Sequence, residues 1–128
     1  MTASTFPLRL SPLPHTWILD LDGTLVLHNG YLSGDDRFLP GALDFLRGIP
    51  PEDYVLILTA RPASVRAQTE DFLHRHRIRY DQIIFGAGVG ERILVNDDKP
   101  SGLCCALALG VERNRGLAHV SISIDPKL

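Results

Sequence analysis

Two carboxylates one residue apart, Asp20 and Asp22, follow the short apolar run Trp17-Ile18-Leu19, and Gly23-Thr24 closes the turn behind them. The run reads as a buried strand that surfaces at Asp20. Both acids then arrive at a strand's carboxyl end, the side of an open parallel sheet where ligand crevices lie. Carboxylates this close repel each other unless a cation neutralises them or one keeps a proton. A hard divalent ion such as Mg2+ takes oxygen ligands and shares its shell with water and phosphate, which suits a site of carboxylates without thiolates or imidazoles. In such a pair one aspartate attacks phosphorus and the other moves protons. The competing reading is a plain turn, since Asp-Gly is a common turn dipeptide.

A second buried strand is expected at Tyr54-Val55-Leu56-Ile57-Leu58, ending in Thr59-Ala60-Arg61. Thr59 holds the position that Asp20 holds on the first strand. Beside the start of a helix opened by Pro62, its hydroxyl would donate to a phosphate oxygen, or it is simply a helix N-terminal residue. Arg61 is either a bidentate contact to a substrate oxygen or a solvent-exposed side chain. A further apolar run, Arg92-Ile93-Leu94-Val95, ends in Asn96-Asp97-Asp98-Lys99-Pro100, so carboxylates again close a strand, now with a lysine beside them.

The string Asp20-Leu21-Asp22-Gly23-Thr24-Leu25 resembles the first motif of the haloacid dehalogenase superfamily, most of whose members are Mg2+-dependent phosphatases. Thr59 at its strand end resembles the second motif, and the Asp97 segment resembles the fourth, whose acidic residue helps bind Mg2+. The resemblance implies an α/β fold, a three-layer Rossmann-like parallel sheet with helices on both faces. It also implies that Asp20 forms an aspartyl-phosphate, that Asp22 acts as acid and then base, and that Mg2+ is held by the Asp20 carboxylate, the Asp22 carbonyl and Asp97. Thr59 and Lys99 would bind the phosphate oxygens. Asp98 is an outer partner of the ion or exposed. The family's third motif is a Lys or Arg placed before the fourth, and no lysine occurs between Asp22 and Asp98. Either Arg92 serves there or Lys99 reaches back. The order Asn-Asp-x-Lys-Pro resembles a variant in small members of the superfamily and favours Lys99, since a point charge serves from either direction.

The elements that must carry these residues fit one domain of 128 residues, with 45% hydrophobic and 22% charged side chains. Residues 1–14, with Pro7, Pro12 and Pro14, read as an extended tail or edge segment, and residues 15–128 as the domain. The first strand, Thr16 to Asp20, is too apolar to alternate and reads as central, covered on both faces. Residues 25–40 are a loop with a short hairpin near His28-Asn29-Gly30-Tyr31; in the resembled family this is the flap beside the site, which makes His28 a substrate contact. Helices are expected from Pro40 to Arg47, from Pro62 to about His76, and from Pro100 to Gly110, the last burying reduced Cys104 and Cys105. Ile83-Ile84-Phe85 reads as a strand, and His119 to Ile124 as an edge strand, with His119 structural or exposed.

A net charge of -2 gives no basic field for gripping nucleic acid, and no window approaches a membrane span, so a cytoplasmic protein is expected. Both positions where the family inserts a cap are too short to hold one. A capless site takes its walls from a second subunit in a homo-oligomer, from the flap, or from a large substrate. The expected substrate is a small-molecule phosphate ester such as a phosphorylated sugar. The alternatives are a polynucleotide 3'-phosphatase, a phosphoprotein phosphatase, and a non-catalytic binding domain of the same fold.

Overall fold

The computed structural model describes residues 6–128. It is mixed α/β, with parallel strands in two small sheets. The first sheet pairs β1 (Phe6–Leu10) with β5 (Val120–Ile124). The second has the order β2 (Thr16–Leu19), β3 (Tyr54–Leu58), β4 (Gln82–Ile84). Parallel neighbours need crossover connections, and two short helices lie in them: α1 (Ala42–Arg47) between β2 and β3, and α2 (Arg66–Arg75) between β3 and β4.

Aspartates pin the strands where they begin. Asp53 accepts from the His15 N–H at 3.0 Å and from Trp17 Nε1 at 2.9 Å, and Asp81 accepts from the Val55 N–H at 2.7 Å. The register sets Leu19 beside Ile57 and Leu58 beside Ile84, so the strands finish at one rim. Beneath that rim Leu21, Leu25, Val26, Val55, Ile57 and Leu73 form the core. This burial holds the chain ends in place, since apolar area removed from water contributes about 25 cal/mol per Å².

A turn of 3-10 helix, Ala63–Val65, leads into α2, which buries Thr69, Phe72 and Leu73. Arg77, at φ 56, ends it after the basic last turn. The expected hairpin near His28 is instead a 3-10 turn at Gly30–Ser33, entered through Asn29 in the left-handed region (φ 58).

Three expectations are corrected. β2 lies at the edge of its sheet, with Ile18 48% exposed, so it is not the central strand; β3 is. The run Arg92 to Val95 forms no ladder, and Ile93 (84% exposed) and Val95 (89%) bury almost nothing. An apolar run becomes a strand only when another edge receives it. Residues 100–110 form no helix. Gly102 stands at φ 96, off the helical region, and a segment this short without a packed face does not hold a helix. Cys104 is therefore exposed and Cys105 half-buried. No helix among the described residues is long and apolar enough to cross a membrane.

Candidate active site

Asp20 follows the last residue of β2 directly, and the turn after it is tightly bonded. The N–H groups of Leu25 and Val26 donate to the Leu21 carbonyl at 2.9 and 3.1 Å, and the Gly23 N–H donates to the Val26 carbonyl at 2.7 Å. Leu21, between the two acids, is buried and anchors the turn from below. The two carboxylates are left facing an open cavity of about 460 Å³, lined also by His28, Tyr31, Arg61, Arg92 and Arg113. That volume lies in the usual range for small-molecule sites.

The Asp20 carboxylate is fixed on both oxygens. Thr24 Oγ1 donates to Oδ2 at 3.0 Å, and Arg92 Nη1 donates to Oδ1 at 3.1 Å. With about a third of each side chain exposed, this pair stands at the mouth of the cavity, within reach of a ligand.

Asp22 is held differently. Arg61 donates to it from Nε and Nη2, each at 2.9 Å, and to Asp36 from Nη1 and Nη2, each at 3.0 Å. Its remaining Nη1 hydrogen goes to Thr69 Oγ1 on α2, also at 3.0 Å. All five N–H donors of the guanidinium are thereby used. The Tyr31 ring covers its face, 4.1 Å from the ring centre. Burial, the largest influence on the Arg61 pKa, would lower it, but the bonds to Asp22 and Asp36 outweigh burial and hold it above its usual value. Arg61 is 2% exposed, so it is not the solvent-exposed side chain that was the alternative; it lies under the site and spends its donors within the protein.

The other expected site residues separate into two groups. His28 and Arg92 line the cavity. Thr59 sits at its strand end, but it is wholly buried, accepts the Arg61 N–H on Oγ1 at 3.1 Å and does not line the cavity. Asp97, Asp98 and Lys99 are all exposed and outside it. The contact to Asp20 is made by Arg92, and Lys99 instead donates its backbone N–H to the Leu103 carbonyl at 2.9 Å.

This donor set does not fit a Mg2+ centre made with Asp97. No group of three acidic, His or Cys side chains among the described residues is close enough to share an ion, and the Asp20 and Asp22 oxygens already accept from guanidinium groups.

Sequence reasoning missed Asp36, Thr69, Tyr31 and Arg113. Asp36 and Tyr31 lie in an irregular loop, and Arg113 belongs to a turn 90 residues from Gly23 in the chain, so no periodicity marks them. His119, expected to be structural or exposed, is buried and packs on Phe6 at 5.2 Å between ring centres. No family model, no curated protein and no solved structure matches this chain.

Proposed function

We propose that the chain is a phosphomonoesterase acting on a small phosphorylated metabolite, with Asp20 as its nucleophile, on a fold of the haloacid dehalogenase type. The supporting observation is the Asp20 carboxylate itself. It stands at a parallel strand end, aimed by Thr24 and paired with Arg92 at 3.1 Å, in a cavity of ligand size. Arg92 would meet the phosphate that approaches Asp20 and offset the repulsion between the two anions.

In the proposed reaction an Asp20 oxygen forms a bond to phosphorus as the ester P–O bond breaks. Asp22, which enters the cycle carrying a proton, gives it to the departing oxygen. Water, losing a proton to Asp22, then cleaves the aspartyl-phosphate and releases inorganic phosphate, which restores the Asp20 carboxylate and the proton on Asp22. Asp22 lines the cavity, and a carboxylate that accepts two hydrogen bonds keeps further lone pairs for this exchange. Mg2+ enters this proposal only through the paired carboxylates and the motif resemblance, and no step above is drawn through it.

A binding domain without chemistry is the second reading, favoured by the position of Asp97 and Lys99 outside the cavity. Hydrolysis of p-nitrophenyl phosphate, with added Mg2+ and with chelator, separates the two. Turnover that falls at least about a thousandfold in Asp20→Asn, with the fold intact, supports the enzyme. An Asp20→Asn variant as fast as the wild type would remove Asp20 as nucleophile, and a wild type without turnover on a broad panel of phosphate esters would leave the binding domain.

A further inference from the structure

Three guanidinium groups line the Asp20 cavity, and two of them are already paired. Arg61 is shared by Asp22 and Asp36, and Arg92 is held by Asp20. Arg113 is exposed and has no carboxylate partner among the described residues.

Its position is built by the turn that carries it. Asn114, in the left-handed region at φ 66, donates its N–H to the Gly23 carbonyl at 2.8 Å. The Asn114 Oδ1 accepts the His28 N–H at 2.9 Å. These two bonds fasten the turn to the loop that follows Asp22. The stem of Arg113 crosses Gly23: a Cβ added to that glycine would stand 3.2 Å from Arg113 Cγ and 3.7 Å from Nε. Gly23, at φ +84, thus gives the carboxylate turn its shape and leaves room for the arginine above it.

We propose that Arg113 receives a second anionic group on the substrate, so that the cavity selects small phosphate esters that also carry a carboxylate or a second phosphate. This rests on the phosphomonoesterase reading and names its substrate class. A phosphate placed for attack by Asp20 meets Arg92, which already touches that carboxylate. Arg113 then remains with its charge unmatched, and its planar fork suits either oxyanion. His28, whose N–H is held by Asn114, also lines this cavity.

Calorimetric titration with three non-hydrolysable probes tests the proposal. Methylphosphonate carries one anionic group, phosphonoacetate adds a carboxylate, and methylenediphosphonate adds a second phosphonate. The wild type is expected to bind at least one two-headed probe about tenfold or more tightly than methylphosphonate. Arg113→Ala, an exposed position, is expected to lose that margin while its circular dichroism spectrum is unchanged. The two arms tell carboxylate from phosphate. Equal affinities for all three probes, no binding of any, or a margin that survives Arg113→Ala overturns the proposal. So does an equal loss for methylphosphonate, which would put Arg113 on the reacting phosphate. Because no probe is hydrolysed, a protein that shows the margin yet turns over no phosphate ester keeps this subsite and loses the phosphatase reading.

Discussion

Arg61 donates to both oxygens of Asp22, from Nε and Nη2, each at 2.9 Å. The acid adjoining the proposed nucleophile therefore sits on a buried base plate whose other edge is taken by Asp36. Removing one member of a buried ion network is costly because the remaining charges lose their partner while staying out of water. Arg61→Ala is expected to destabilise the protein by about 3–5 kcal/mol in urea unfolding. Arg61→Lys keeps the charge but has no planar fork and only three donors, so it should recover part of the loss. A loss below about 1 kcal/mol for Arg61→Ala would show that Asp22 and Asp36 reach solvent without it.

Asp36 acts on the loop rather than on the rim. Through Arg61 it ties the segment around Gly30–Ser33, with Tyr31 over the guanidinium, to the end of β3. Asp36→Ala cuts that tie and leaves a buried arginine with one carboxylate. The expected cost is about 1.5–3 kcal/mol, the range for a hydrogen bond to a charged group. Amide hydrogen exchange should accelerate across residues 29–36 and stay unchanged in β3. Uniform acceleration would mean that Asp36 supports the whole domain and not this loop.

What the chain reveals in advance follows from how local each signal is. Tyr54–Leu58 forms the strand its apolar run predicts, residue for residue, because it is received on both edges by β2 and β4. Arg92 to Val95 carries an equally apolar pattern and forms none, since nothing in its own residues says whether an edge will take it. The same limit governs the site. Asp20 and Asp22 are legible because two residues and a turn specify them. Arg61 reads from the sequence as a substrate contact or an exposed side chain, and its burial is not legible because its partners Asp36 and Thr69 come from a loop and a helix that only the tertiary fold brings together. The motif order favours Lys99 over Arg92 for the charge beside Asp20, and the path of residues 86–100 instead brings Arg92 to that carboxylate.

Asp53 makes stability depend on pH. Burial, the largest influence, would raise its pKa, but the bonds from Trp17 Nε1 and the His15 N–H, with the nearby His15 charge, outweigh burial and lower it below the ordinary 3.8. A carboxyl whose folded value is depressed stabilises the fold fully above its unfolded value, and this is lost as pH falls through the folded one. Stability should therefore be flat in this respect above pH 3.8 and fall below it. Asp53→Asn should cost about 1–3 kcal/mol at neutral pH and flatten the acid limb of the curve. An acid limb of unchanged steepness in Asp53→Asn would assign it to other carboxylates.

The turn that carries Arg113 is clasped to the start of α1 by two glycines. Leu117 donates its N–H to the Pro40 carbonyl at 2.8 Å, and Gly116 lies against that same carbonyl at φ +83. Opposite it, Gly41 packs on the Ala118 backbone at φ +77. A methyl at Gly116 would meet backbone rather than a side chain that could swing away, and the left-handed φ disfavours any residue with a Cβ. Gly116→Ala is expected to cost about 1–3 kcal/mol in urea unfolding, as strain at one forced backbone conformation. The strain acts two residues from Asn114, so the contacts of Asn114 to Gly23 and His28 should loosen first. Hydrogen exchange read at the Asn114 and His28 amides in Gly116→Ala measures this. Protection at both amides equal to wild type, with the stability loss present, would show that the clasp and the Arg113 turn are independent.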